Sequence, residues 1–242
     1  MVWFLSMSAV DLHQVAGVLF DLGGTLDGDG EHWLNRFELL YREHLPQVAF
    51  PALKAAFYEA EAACLTEPQV ASLDLAGLIA FHVSRQLKAL GIASPGAKVA
   101  LSQAFLASCR QSFQRNAGIL ARLARRYRLG VITNFYGNAA RLLAEEGLAP
   151  FFTAIVDSAS IGVRKPDPAI FAAALQELDL PPHRVAYVGD SYGQDIRPAK
   201  KVGLITVWLR NDAMSAPLPT DFDPACADFE IHALPELEAL LP

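Results

Sequence analysis

Five short apolar runs limit what this chain can fold into. They are Gly17–Phe20, Leu129–Thr133, Ala154–Val156, Val185–Val188 and Ile205–Leu209, rich in Val and Ile and without strict alternation. Runs of this kind read as strands buried on both faces, as in a parallel sheet covered by helices. Helical patterns separate the later ones. Ile119–Tyr127 is amphipathic and ends in basic residues, and Asn138–Glu146 stops at Gly147. Pro168–Leu178 follows Asp167 as N-cap, with Pro168 at the first helical position. Strand and helix alternate from about residue 118 onward, which predicts a doubly wound α/β fold.

The stretch from Asp27 to Asn116 breaks that alternation. Four helix-like segments, His32–His44, Ala52–Leu65, Leu73–Leu90 and Gly96–Gln114, follow one another with Pro or Gly between them and no convincing strand. This predicts an inserted all-helical domain over residues 28–116, with residues 1–27 and 117–242 forming the α/β core. After Arg210 the chain, with Pro217, Pro219 and Pro224, reads as irregular. A short strand and a last helix, Pro235–Leu241, are expected to follow.

Composition narrows the partners. The 242 residues are 52% hydrophobic, with a mean hydropathy of +0.25, so core material is ample and nothing suggests disorder. A net charge of −6 argues against a nucleic-acid partner, whose phosphates would repel it. Cys64, Cys109 and Cys226 are far apart, without a CxxC pair, and read as reduced thiols. The apolar start at Met1–Val10 lacks the basic segment of a signal peptide, and no run approaches the roughly 18 residues of a membrane span. The expectation is a cytoplasmic protein, monomer or homodimer, with no membrane or nucleic-acid partner.

The informative polar residues fall just past strand ends. Asp21 follows the first run, Thr133-Asn134 closes the second, and Asp190 follows Val185–Gly189. In an open parallel sheet the carboxyl ends share one edge, where ligands bind. Lys165 lies in a loop that opens a helix. Aspartates, a hydroxyl and a lysine on one rim suit phosphoryl transfer. Paired carboxylates hold Mg²⁺ through hard oxygen ligands, a carboxylate can act as nucleophile, and lysine and hydroxyl donors offset charge on the transferring group.

Four motifs in order then resemble the haloacid dehalogenase (HAD) hydrolase superfamily. Asp21-Leu-Gly-Gly-Thr25-Leu is similar to its nucleophile motif and Val131-Ile-Thr133-Asn134 to its second. Gly162-Val-Arg-Lys165-Pro-Asp-Pro is similar to its lysine motif, and Val188-Gly-Asp190-Ser-Tyr-Gly-Gln-Asp195 to its acidic one. The resemblance implies a phosphatase-type hydrolase with a Rossmann-like core and a helical cap inserted between the first two motifs, acting on a small phosphorylated metabolite through an aspartyl-phosphate. It further implies Asp21 as nucleophile and metal ligand, Thr133 and Asn134 as phosphoryl binders, and Lys165 as the charge-stabilising cation. Mg²⁺ would be held by Asp21, the Gly23 carbonyl, Asp190 and Asp195, the last either as a direct ligand or from just outside the ligand set in the same acidic cluster. The plainer alternatives are Thr133 as a strand cap, Asn134 as a turn residue and Asp195 as a helix N-terminal charge.

One departure stands out. Family phosphatases carry a second aspartate two residues after the nucleophile, and here that position is Gly23. Losing a positioned acid–base group costs about 10²–10⁴-fold in rate. Four explanations stay open. The leaving group needs no proton, or Asp27, Asp29, Glu31, His32 or a cap side chain substitutes. Alternatively, the enzyme is a phosphonate hydrolase using Lys54, Lys88 or Lys98, or the protein is a weak catalyst that binds phosphate. A 2-haloacid dehalogenase also lacks the second aspartate, but it would leave the intact Gly189-Asp190 unexplained. Trp33, Phe37 and Tyr41 read as cap core.

Overall fold

The computed structural model describes residues 10–211, 218 and 220–241, together with the backbone of Trp3–Phe4. Pro217 and Pro219, expected in an irregular tail, and most of Met1–Val10 lie outside the described residues. Among the described residues seven strands form one sheet: β1 (Trp3–Phe4), β2 (Gly17–Phe20), β3 (Arg128–Thr133), β4 (Ala154–Asp157), β5 (Val185–Gly189), β6 (Ile205–Leu209) and β7 (Phe229–Ile231). Their order is β1-β7-β6-β5-β2-β3-β4. β2 to β7 are parallel and only β1, at the edge, runs antiparallel.

β2 lies between β3 and β5, with Leu19 opposite both Gly130 and Tyr187. Its residues are buried on both faces, which is why the run is continuously apolar. Val18 and Phe20 face the larger apolar cluster, while Leu19 joins Ile132, Phe171 and Tyr187 on the other side. The chain leaves β2 toward β3 and returns beyond β2 to β5, so the strand order reverses here. That is where a doubly wound sheet opens its crevice.

Between β2 and β3 come four helices: α1 (Trp33–His44), α2 (Phe50–Thr66), α3 (Leu75–Ala89) and α4 (Pro95–Leu123). Asp74 and Ser94 cap α3 and α4 through side-chain bonds to the N–H groups of Gly77 and Ala97. Aromatic packing unites the block. Phe37 and Phe105 stack at 4.1 Å, Trp33 meets Phe105 edge-on at 4.9 Å, and Tyr41 is fully buried.

α4 corrects one expectation. It runs unbroken through residues 116–118, where the sequence suggests that the block ends and a separate helix, Ile119–Tyr127, begins. An interior glycine such as Gly118 costs about 1 kcal/mol. Burial of Phe113, Ile119, Leu120 and Leu123 on one face outweighs it, and Asn116 anchors the helix by donating to the Leu26 carbonyl at 2.8 Å.

Beyond β3 lie α5 (Ala139–Glu145), α6 (Ser158–Ile161), α7 (Pro168–Leu178) and α8 (Arg197–Val202). α7 matches its predicted bounds, and Asp167 accepts the Ala169 N–H at 2.9 Å. The last helix is shorter than expected: a tight turn at Leu234–Glu236 precedes α9 (Leu237–Leu240). The Glu236 carboxylate accepts the N–H groups of His232 and Ala233, which fixes the turn and delays the helix.

Candidate active site at the carboxyl edge of the sheet

β2, β3 and β5 end side by side and deliver Asp21, Thr133 and Asp190 to one rim. The Asp21 N–H is itself held by the Val188 carbonyl at 2.9 Å. Two glycines make room for the carboxylates. Gly24 has φ +91°, and a Cβ there would lie 2.7 Å from Asp190 Oδ2. A Cβ on Gly189 would lie 2.5 Å from that of Asp195. Gly23 is different. Its φ of −77° suits any residue, and a Cβ would find nothing closer than Phe135 at 3.7 Å and Trp33 at 3.8 Å.

Lys165 arrives from the loop before α7 and is buried among acceptors. Its ammonium donates to Asp21 Oδ1 at 2.6 Å, Asp195 Oδ1 at 2.7 Å, the Ile132 carbonyl at 3.2 Å and the Tyr187 hydroxyl at 3.3 Å. Burial opposes its charge, but the Asp195 and Asp21 carboxylates prevail and raise its pKa above the ordinary lysine value. Burial also dominates at Asp21, pushing its carboxyl up to about 7 although Lys165 pulls the other way. Asp190 is raised well above the carboxylate range by burial and by the charges of Asp21 and Asp195.

Asp21, Asp190 and Asp195 each offer a carboxylate oxygen within 4.8 Å of one another. When ionised, the three carboxylates exceed the single ammonium by two negative charges, and their hard oxygen donors suit a divalent cation such as Mg²⁺, whose charge favours that ionised state. The three differ in freedom. Asp195 Oδ1 accepts from Lys165 and Tyr187, and its Oδ2 accepts the Ser191 N–H at 3.0 Å. Asp190 Oδ1 accepts from Thr25 at 2.9 Å, with no bond to Oδ2 among the described residues.

Thr133 and Asn134 line the same cavity, whose volume is about 940 Å³. Thr133 is buried at its wall. Asn134 is tied to the lysine loop in both directions. Its amide donates to the Lys165 carbonyl at 3.0 Å, and its oxygen accepts the Lys165 N–H at 2.8 Å.

The carboxyls at the cap entrance, which would replace an acid at Gly23, are engaged elsewhere. Asp27 accepts the Gly24 N–H at 2.6 Å and the Trp33 indole N–H at 2.7 Å, with Arg36 at 3.4 Å. Asp29 pairs with Arg115, and Glu31 accepts from Asn211 at 2.8 Å. His32 lines the cavity, but its Nδ1 accepts the Leu34 N–H as the cap of α1, so its proton sits on Nε2. Of the three cap lysines only Lys54 lines the cavity, and it is exposed.

Thr25 and Tyr187 also belong to the site, and sequence reasoning assigns them no part. A tyrosine in a strand otherwise made of Val, Ala and Gly was the available signal, because a buried hydroxyl needs a partner.

The chain belongs to the haloacid dehalogenase-like hydrolase family, whose model matches residues 15–203. It is 37% identical over 114 residues to a glyceraldehyde 3-phosphate phosphatase of Methanopyrus kandleri, covering 46% of this chain and 48% of that one. To haloacid dehalogenase-like hydrolase domain-containing protein 3 of Bos taurus it is 34% identical over 117 residues, covering 48% and 44%. The matches thus span about half the length of these relatives. A 2-haloacid dehalogenase from Pseudomonas syringae pv. Tomato DC3000 superposes with a TM-score of 0.52 at 26% identity, over 94% of this chain and 98% of that one. Among the described residues no helix is long and apolar enough to cross a membrane.

Proposed function

We propose that this chain is a Mg²⁺-dependent phosphatase that cleaves a small phosphorylated substrate through a phosphoryl-Asp21 intermediate. The observation that carries the reading is the Lys165 ammonium lying between Asp21 and Asp195, with Asp190 completing a three-carboxylate cluster. Asp21 attacks phosphorus, the bond from phosphorus to the leaving oxygen breaks, and water then hydrolyses the acyl-phosphate to release phosphate and restore Asp21. Lys165 offsets charge on the nucleophile and the transferring group, and the Thr133 hydroxyl binds phosphoryl oxygen. Asn134 binds beside it while holding the lysine loop.

Asp21, Asp190 and the Gly23 carbonyl would hold the metal, with Asp195 acting mainly by fixing Lys165 and the Ser191 turn. When bound, the metal supplies positive charge that relieves carboxylate repulsion and polarises phosphoryl oxygen. Residues 28–116 act as the cap over the site. A cytoplasmic setting accords with three free cysteines.

With Asp27, Asp29 and Glu31 paired and His32 capping α1, no carboxyl at the cap entrance is left to protonate a leaving group. These pairings therefore favour a leaving group that departs without a carboxylic acid, as an acyl or aryl phosphate does, and leave the His32 Nε2–H as the donor at the cap entrance. A phosphonate hydrolase is less well supported: a Schiff-base lysine needs the lowered pKa that burial brings, and Lys54 is exposed. Halide displacement from carbon has no use for Asp190.

The test is turnover of p-nitrophenyl phosphate with Mg²⁺ and its loss in Asp21→Asn. Wild-type turnover in that variant overturns the reading. Binding of a phosphate analogue with no turnover would favour a binding protein instead.

A further inference from the structure

Glu61 lies outside every family motif, yet a buried polar chain converges on it. α2 turns one face to the cavity, carrying Lys54, Phe57 and Glu61 at helical spacing. His82 of α3 donates to Glu61 Oε1 at 3.0 Å, and the Tyr136 hydroxyl, from the loop after β3, donates to the same oxygen at 2.6 Å. Behind His82, the Gln86 amide donates to Nδ1 at 2.7 Å, which leaves the ring neutral with its proton on Nε2.

His82 and Gln86 are fully buried. The imidazole stacks on Phe37 at 5.6 Å and packs against Phe57 at 4.9 Å. Unpaired polar groups in an aromatic core are costly; Gln86 Oε1 has no partner among the described residues, and the end of this chain that reaches the cavity is Glu61.

Both donors use Oε1, so Oε2 has no hydrogen-bond partner among the described residues. Burial works against the charge, but the His82 and Tyr136 hydrogen bonds prevail and hold Glu61 below the usual carboxylate range. It is ionised at neutral pH, and among the described residues no Lys or Arg pairs with it. Lys54 stands two turns away, about 10 Å along the helix. The wall around the carboxylate is aromatic, with Trp33, Phe57, Phe135 and Tyr136 lining the cavity.

We propose that Glu61 anchors an ammonium group on the substrate, so that the phosphorylated molecule taken by this site carries a protonated amine. An unpaired carboxylate calls for a cation, and aromatic faces add attraction for an ammonium within about 6 Å. A hydroxyl would satisfy the oxygen and leave the charge, while an anion would be repelled. The inference rests on the proposal that the phosphoryl group binds at Asp21, Thr133 and Lys165.

The experiment is titration calorimetry of the intact chain in Mg²⁺. The probes are ω-aminoalkyl phosphates from ethyl to pentyl, each set against the alkyl and ω-hydroxyalkyl phosphate of the same length. At the length that spans the two sites, the amine should bind at least about tenfold tighter than both, the size of a charge-assisted hydrogen bond. N-acetylation, which removes the charge, should abolish the gain. Glu61→Gln should abolish it too, because His82 and Tyr136 hold the amide oxygen and turn the NH₂ toward the ligand.

An amine no better than its hydroxyl analogue at any length overturns the inference, as does an advantage that survives N-acetylation or Glu61→Gln. The wild-type series decides by itself if the variant does not fold. Amine preference without p-nitrophenyl phosphate turnover would sink only the phosphatase reading, and turnover without amine preference would sink only this one.

Discussion

Lys165 Nζ stands 2.6 Å from Asp21 Oδ1 and 2.7 Å from Asp195 Oδ1, so one buried ammonium ties the end of β2 to the acidic turn after β5. The pair does not make Asp21 comfortable as an anion, because burial raises its carboxyl from 3.8 to about 7. A carboxyl with a raised folded pKa keeps a proton that the unfolded chain has already lost. Stability therefore falls as pH rises from about 4 to about 7 and stays low above that, by up to about 1.4 kcal/mol per pH unit for one group. Metal-free protein should melt at a lower temperature near pH 8 than near pH 5. Asp21→Asn should flatten part of that slope, and the raised carboxyl of Asp190 should keep the rest. Melting curves in a chelator provide the check, and parallel slopes for the two proteins would contradict the assignment.

Asp190 offers the test of the metal. Its Oδ1 accepts the Thr25 hydroxyl, so Asp190→Asn, which keeps an acceptor, is a cleaner variant than Asp190→Ala. A ligand bound only by the folded state stabilises it by about 2.7 kcal/mol at a hundred times its Kd. Mg²⁺ should raise the melting temperature of the wild type, while Asp190→Asn should need far more Mg²⁺ for the same shift. Superimposable Mg²⁺ titrations would place the metal elsewhere.

Trp33 tests the clamp behind the nucleophile loop. Its indole N–H donates to Asp27 Oδ2, while Asp27 Oδ1 holds the Gly24 N–H that shapes the turn beneath Asp190. Trp33→Phe preserves an aromatic ring and removes the donor. Leaving a buried carboxylate short of one bond costs about 1–3 kcal/mol, and thermal unfolding should show a loss of that size. A variant as stable as the wild type would mean that Arg36 and the Cys109 thiol, which donates to Asp27 Oδ2 at 3.7 Å, already satisfy Asp27.

The carboxyl edge was legible because parallel strands bring their ends together whatever their separation in sequence. Asp21, Thr133 and Asp190 could therefore be placed on one rim, and Asp167-Pro168 marked the start of α7 to the residue. What stayed hidden depends on tertiary contact. Glu61 meets Tyr136 across 75 positions, with no local pattern to announce it. Asp27 looks like a spare acid in the sequence but is consumed by Gly24 and Trp33. α4 continues through Gly118 because of the face it buries. Gly23 and Gly24 are adjacent and identical as letters, and only the +91° φ and the approach of Asp190 show that the second alone must be glycine.

That difference makes Gly23→Asp a usable probe. Gly23 has φ −77° and ψ 115°, and its nearest neighbours for a Cβ are 3.7 and 3.8 Å away, so a side chain can enter without strain. A carboxyl at this position could protonate a leaving oxygen. An alkoxide needs that proton, whereas a nitrophenolate leaves readily without it. Hydrolysis of alkyl phosphates should therefore rise more than that of aryl phosphates, by about tenfold or more, equivalent to about 1.4 kcal/mol of barrier. Activation of water by the new carboxylate against the phosphoryl-Asp21 intermediate would speed both substrates alike. The ratio of the two rates is accordingly the quantity to measure, in a variant shown by melting to remain folded and to respond to Mg²⁺. An unchanged ratio would show that a missing acid is not what limits this site.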